Sequence, residues 1–280
     1  MKIRDYAISG DPFDLQKCEN CSVVITANPP AEVDIEPYYR GDHYISHTDT
    51  KNGLIYKIYH IVRNWMLFRK KQLVSKLGSQ KRLLYIGCGT GYFLQYMKKK
   101  GYEVRGIEKI DAAKSYAENE FDLTVHYPEV LFKNNILGTF DFVTMWHVLE
   151  HLYEPSKYLQ AIHNVLNEHG FLILAVPNYT SYDAAYYKSY WDGYDVPRHL
   201  WHFSPKSMEL LLSKHNFQLK EIHRLPFDAF WVSTLSEKWK GNKWYLVFGF
   251  CVGLVSTVIS WLNIKRTASL IYVFKKLPIQ

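Results

Sequence analysis

The sequence predicts an α/β fold in which helices alternate with the strands of one sheet. Three observations carry this. An apolar strand, Leu83-Leu84-Tyr85-Ile86, runs into the tight turn Gly87-Cys88-Gly89-Thr90-Gly91 and directly on into a helix. A second apolar stretch, Tyr102–Ile107, ends on a carboxylate, Glu108. A third, Phe140–Trp146, ends on the polar-aromatic corner His147-Val148-Leu149-Glu150-His151.

The elements follow in order. Runs of strand length and strand composition fall near 82–87, 102–108, 122–127, 140–146, 170–176, 217–224 and 267–275. Amphipathic runs of helix length lie near 91–100, 111–120, 154–167 and 204–215. Ser204-Pro205 opens the last of these with a cap residue and a proline at the first helical position. Glycines at the first strand–helix junction let backbone N–H groups approach a ligand, and the helix N-terminus adds positive potential. A dinucleotide fingerprint needs a small residue five positions after its first glycine, and Tyr92 stands there instead. The third glycine comes one residue early, at Gly91. Glu108, able to accept hydrogen bonds from ribose hydroxyls, suits NAD or S-adenosylmethionine equally. The glycine spacing selects S-adenosylmethionine.

At this point the chain resembles the class I S-adenosylmethionine-dependent methyltransferases, in particular the methyltransferase-domain 23 type branch with its ubiquinone-type O-methyltransferases. The residues that carry the resemblance are the turn Ile86–Gly91, the corner Phe140–Leu152, and Pro197-Arg198-His199-Leu200 leading to Phe203-Ser204-Pro205. It covers roughly residues 80–226 plus the last strand. The resemblance implies a Rossmann-like, mostly parallel seven-stranded sheet with helices on both faces and an antiparallel final strand. It also implies that Gly87, Cys88, Gly89 and Gly91 cradle the amino-acid portion of the cofactor. Glu108 would hold the ribose, and Trp146 with His147 would meet the sulfonium region. The adenine would lie near His126–Glu129.

Three regions fall outside that core of 80–226 plus 264–280. Residues 1–50 carry Cys18-Glu19-Asn20-Cys21, half of a zinc ribbon. Tetrahedral zinc needs four ligands. Cys88 and Cys251 are elsewhere, and His43 and His47 follow at more than the usual finger spacing. A degenerate ribbon with no metal is expected. Residues 51–79 read as one long amphipathic helix, a lid or packing helix over the cofactor mouth. Residues 227–263 read as an apolar helical hairpin inserted before the last strand. Within it, Trp244–Leu262 is a run of 19 uncharged residues between Lys240 and Lys243 on one side and Lys265 and Arg266 on the other. Its length reaches that of a membrane span. A single crossing would put the last two strands on opposite sides of a bilayer, so the segment is expected in a membrane interface or packed on protein.

Of the 280 residues, 48% are hydrophobic and 16% aromatic, which provides a core and excludes a disordered chain. Four scattered cysteines form no disulfide framework, and Met1–Gly10 is polar and mixed. The expectation is a cytoplasmic protein, with peripheral contact at the inner face of a membrane through 244–262 as a further option. The net charge of +7 is spread over the chain without a nucleic-acid motif.

Methyl transfer is an in-line displacement, so such an enzyme aligns the acceptor and excludes water. An oxygen acceptor also needs a base with a pKa near neutrality. His147 and His151 are ranked level for that role. The loop Asn178–Phe203 holds nine aromatic side chains and reads as the wall of an acceptor pocket, with Tyr179, Trp191, Arg198 and His199 as substrate-binding candidates. His147-Val148-Leu149-Glu150-His151 also matches an inverted zinc-protease pattern, but its first histidine closes a strand, so the protease reading is set aside; a divalent metal on Glu150 and His151 is the alternative, and no metal site is assigned. The reading is methyl transfer, to an oxygen of a small or lipid-like acceptor. The alternatives are a membrane-associated scaffold that keeps the fold without catalysis, and an NAD-dependent oxidoreductase.

Overall fold

The apolar runs take up the alternating order that their spacing predicts. A computed structural model describes residues 1–39, 54–133 and 136–278, with side chains of the first helix described from His60 onward. The chain begins with β1 (Lys2–Arg4), β2 (Pro12–Lys17) and β3 (Val24–Ala27), followed by the long helix α1 (Leu54–Lys76). Then come β4 (Arg82–Ile86), α2 (Tyr92–Lys99), β5 (Glu103–Ile107), α3 (Asp111–Phe121) and β6 (Val125–His126). The second half of the sheet begins with β7 (Phe140–Trp146), α4 (Pro155–Val165) and β8 (Leu166–Pro177). A short helix α5 (Tyr182–Tyr187) and strand β9 (Trp201–His202) precede α6 (Pro205–Ser213) and β10 (Phe217–Arg224). The hairpin α7 (Asp228–Trp239) and α8 (Tyr245–Leu262) leads to the last strand, β11 (Ser269–Lys276).

The main sheet has seven strands in the order β10-β11-β8-β7-β4-β5-β6. β11 runs antiparallel to both β10 and β8, while β8, β7, β4, β5 and β6 are parallel. Side chains alternate between its faces. Leu84, Ile86, Val143 and Met145 pack on one side with Leu159 and Ile162 of α4 and Met208 and Leu212 of α6. Leu83, Tyr85, Phe142 and Ile173 pack on the other with Val74 of α1 and Phe93, Leu94 and Met97 of α2. Ser204 caps α6 as its sequence implies, exchanging hydrogen bonds with Ser207 in a capping box.

Two features depart from the sequence reading. The first residues form an ordered four-stranded sheet, β1-β2-β3-β9, whose last strand comes from the far side of the chain. The aromatic loop after β8 is mostly interior: Tyr187, Trp191 and Tyr194 are buried with Ile3, Leu15 and Val24 in a third apolar cluster. The loop therefore glues the small sheet to the main one.

Candidate active site

Parallel strands place their carboxyl ends on one edge, and the ligand-binding residues collect there. β4 ends in the glycine turn. Gly89 has φ +54° and open space where a Cβ would project, so its outer side is clear for a ligand. Gly87 has φ +71°, and a Cβ there would meet Val148 Cγ2 at 2.5 Å. Gly91 starts α2. Glu108, at the tip of β5, folds back on this turn: its Oε2 accepts the Gly89 N–H at 2.7 Å, and its Oε1 accepts the N–H groups of Lys109 and Ile110, each at 2.9 Å. The second acid and the glycines thus form one cradle. Cys88 is buried in the turn, and burial followed by the charge of Glu108 pushes its thiol well above the usual range, so it stays protonated.

Next along the edge, Trp146 closes β7 with its indole Nε1 buried and without a hydrogen-bond partner. The Nε2 of His126, at the end of β6, is likewise buried and unpartnered. An open glycine turn, a buried carboxylate beside it and the unpaired buried nitrogens of Trp146 and His126, at the ends of four adjacent strands, fit S-adenosylmethionine.

His147 follows β7 with φ +55°, its backbone N–H held by the Ala175 carbonyl at 2.9 Å. Its side chain is 35% exposed, and its Nδ1 lies 3.3 Å from Oε1 of Glu150, whose side chain is 1% exposed. Neither Glu150 oxygen has a hydrogen bond of regular geometry. Burial works against the charge of His147, but the Glu150 carboxylate outweighs it, with a smaller push from Asp228, and the imidazole pKa is raised. Burial likewise opposes the Glu150 carboxylate, and His147 more than compensates, holding its pKa below the ordinary value. The two groups form a dyad.

His151 differs. Its Nδ1 contacts the Arg198 carbonyl at 3.0 Å, so Nδ1 carries the proton and Nε2 the lone pair. Burial, followed by repulsion from His199, lowers its pKa to about 4. His202 is lower still, at about 3, mainly through burial. The Thr26 hydroxyl donates to the His199 carbonyl at 2.7 Å, so its oxygen takes the His202 Nε2–H at 3.1 Å. The two candidate bases therefore differ in environment, His147 paired with Glu150 and His151 with its pKa lowered by burial. Glu150, His151 and His199 each bring a donor atom within 4.8 Å of the others, a spacing a cation would accept.

The substrate-binding candidates separate. His199 stacks edge-on against His151, with ring centroids 4.7 Å apart, beside the site. Tyr179, Trp191 and Arg198 have other partners. Tyr179 donates to the Ser22 carbonyl at 2.6 Å, and Trp191 donates to Asp183 at 2.7 Å from inside the third cluster. Arg198 is spent on Asp5 at 2.9 Å, Asp195 at 2.6 Å and the Tyr38 carbonyl at 2.8 Å. These three bond within the fold, on the side of the loop that the small N-terminal sheet covers. Cys18 and Cys21 sit in the β2–β3 turn, and among the described residues no group of three metal-ligating side chains includes them. His43 and His47 lie outside the described residues.

Two residues near His147 escaped the sequence reading. Lys70 of α1 places its Nζ 4.3 Å over the Trp146 ring, and burial lowers its pKa to about 7. Asp228, the first residue of α7, accepts the Ser269 hydroxyl and adds negative charge on the His147 side. The basic face of the long helix was the signal for Lys70; for Asp228 there was none.

A family model described as "Methyltransferase domain" matches residues 60–222. The ubiquinone biosynthesis O-methyltransferase of Actinobacillus pleuropneumoniae is 31% identical over 111 residues, 36% of this chain and 47% of that relative. The enzyme of the same name from Paraburkholderia phymatum is 31% identical over 104 residues, 35% of this chain and 45% of that one. The chain thus spans about half the length of the curated relatives it matches. Among solved structures, an Archaeoglobus fulgidus SAM-dependent methyltransferase aligns with a TM-score of 0.50 at 18% identity, covering 76% of this chain and 94% of that one. The magnesium protoporphyrin IX methyltransferase of Synechocystis, with bound SAH, aligns at 0.51 and 13% identity, covering 80% and 88%. These structures share the fold. The family match runs through the glycine cradle, Glu108 and the His147 corner and sets the NAD-dependent alternative aside. The chain belongs to the methyltransferase-domain family, and it is a class I enzyme whose cofactor is S-adenosylmethionine.

Proposed function

We propose that the chain methylates an oxygen of a small, lipid-like acceptor, with His147 as general base and Glu150 as the group that orients it. The observation that carries this reading is the 3.3 Å pairing of His147 Nδ1 with a carboxylate that is buried and otherwise unpartnered. It leaves Nε2 as the nitrogen free to take a proton. The partial likeness to ubiquinone O-methyltransferases supports an oxygen acceptor with a lipid tail.

S-adenosylmethionine supplies an electrophilic methyl group. Gly87, Cys88, Gly89 and Gly91 would hold its amino-acid end, Glu108 its ribose and Trp146 the region of its sulfur. His147 draws the proton from the acceptor hydroxyl as the oxygen–methyl bond forms, and Glu150 stabilises the resulting imidazolium. Lys70 and Asp228 flank the imidazole with opposite charges, the smaller of its electrostatic influences. His199 borders the acceptor side through His151.

The test is calorimetric titration with S-adenosylmethionine, followed by an acceptor screen led by lipids and phenols. Micromolar binding that collapses in Glu108→Ala, with O-methylated product formed by the wild type and lost in His147→Gln, is the expected result. A methylated nitrogen or carbon would overturn the oxygen assignment. Binding without turnover on any acceptor would favour the non-catalytic scaffold.

A further inference from the structure

α8 is built inside out. Its buried positions, Gly249, Gly253, Ser256 and Ser260, are all small and follow one another at spacings of four, three and four. They pack on α7 so closely that a Cβ at Gly249 would lie 2.4 Å from Thr234 Cα. The large apolar side chains point the other way: Leu246, Phe250 and Leu254 are 63%, 57% and 47% exposed, and only 22% of the helix is buried. A helix on the surface of a water-soluble domain does the reverse, turning its large apolar residues inward. Trp244 and Trp261 stand at the two ends of this face, 70% and 67% exposed. Beyond them lie Lys240 and Lys243 at one end and Lys265 and Arg266 at the other, with no acidic residue between Lys240 and Arg266.

We infer that α8 docks in the plane of an anionic phospholipid surface. Tryptophans at both ends of an apolar face match the headgroup boundary, and the basic ends match its charge. A spanning arrangement is excluded by the covalent path. β10 and β11 pair from Phe217↔Lys276 to Arg224↔Leu270, so the hairpin leaves and returns on one side. α7, its outgoing arm, has 12 residues, about 18 Å of helix against the roughly 30 Å of a hydrocarbon core. A second copy is a poor occupant as well. Two α8 faces laid together, parallel or antiparallel, would bring basic end against basic end.

Exposed aromatic side chains also join the start of α7 to α1. Phe227, just before α7, packs edge-on against Trp65 of α1 at 5.3 Å, and Asp228 follows on the His147 side. With α8 docked, a lipid-borne acceptor would meet the protein at the membrane surface. This last step rests on the methyl-transfer reading; the docking does not.

The full chain is floated with phosphatidylglycerol–phosphatidylcholine vesicles and with phosphatidylcholine alone, at low and high salt. The comparison variants are Phe250→Glu with Leu254→Glu, and Lys243→Gln with Lys265→Gln. Both pairs are exposed, so the fold is retained, and cofactor binding by calorimetry checks it. Expected are flotation with the anionic vesicles, blue-shifted tryptophan emission, and a loss of affinity of about tenfold or more in the glutamate pair. The lysine pair should weaken binding and reduce its salt dependence. Wild type that stays with the soluble fraction, or a glutamate pair that floats equally well, would overturn the proposal. So would a dimer that the glutamate pair dissociates, or vesicle-bound protein that neither high salt nor alkaline carbonate releases. Flotation without cofactor binding would sink the methyl-transfer reading and leave the docking intact.

Discussion

At the scale of single residues, the site turns on which histidine can accept a proton near neutrality. His151 and His202 are held neutral far below that range, at about 4 and about 3, because burial removes the water that would stabilise their charge. His147 is held above the ordinary value by Glu150. A base must be unprotonated to act, so kcat/KM should rise with pH through the His147 pKa, with the acid limb above the free-histidine value of about 6.5. Glu150→Gln removes the carboxylate and leaves burial opposed only by the weaker push of Asp228, so the limb should move to lower pH as the rate falls. His147→Gln should abolish the limb and lower kcat by about 10²- to 10⁴-fold. A pH–rate profile of the three proteins checks this, and an unmoved limb in Glu150→Gln would break the dyad. The glycine turn and Glu108 were legible in the sequence because both are local signatures of a strand end. The choice between His147 and His151 was not. It depends on Glu150 facing one ring and on the Arg198 carbonyl facing the other, and neither is written in the spacing.

At the scale of elements, apolar periodicity located the seven strands of the main sheet within a few residues, since β-runs buried on both faces stand out as continuous apolar stretches. It failed in two places where burial and residue size part company. The aromatic loop after β8 looked like a pocket wall, yet Trp191 and Tyr194 fill a core that exists only because β1, β2 and β3 fold against it. In α8 the side that packs is marked by small residues, so an apolar run with no polar stripe gave its length and not its orientation. That orientation makes a testable difference. Gly249→Leu must push α8 off the backbone of Thr234, and should destabilise the protein by about 1–3 kcal/mol. Val247→Ala, on the exposed face, should cost under about 0.5 kcal/mol in detergent-free buffer. Denaturant melts of both variants measure the contrast, and equal effects would mean that α7 does not hold α8.

At the scale of the whole molecule, a buried ion pair reinforces the apolar junction between the small N-terminal sheet and the aromatic loop after β8. Asp5 and Arg198, 193 residues apart in the chain, meet at 2.9 Å with side chains 0% and 2% exposed. Asp5 is so distant in sequence that no local pattern connects it to Arg198, whereas Asp195, three residues away, is a partner that the spacing offers. Asp5 also accepts the N–H of Ala7, Ile8 and Ser9 and the Ser9 hydroxyl, so its carboxylate remains fixed whatever Arg198 does. Arg198→Met would therefore leave a buried charge with local donors but without its counter-ion, alongside an uncompensated Asp195. The expected loss is about 3–5 kcal/mol, the usual cost of breaking a buried pair from one side. Asp5→Asn removes that stranded charge, so the double variant should be more stable than Arg198→Met alone, a coupling that a double-mutant cycle isolates. Hydrogen exchange locates the damage. In Arg198→Met the amides of β2 and β3 should lose protection while those of β4, β7 and β8 keep theirs, because the main sheet carries its own two-sided core. Uniform loss across both sheets would mean that the two fold as one unit, with the ion pair only one contact among many.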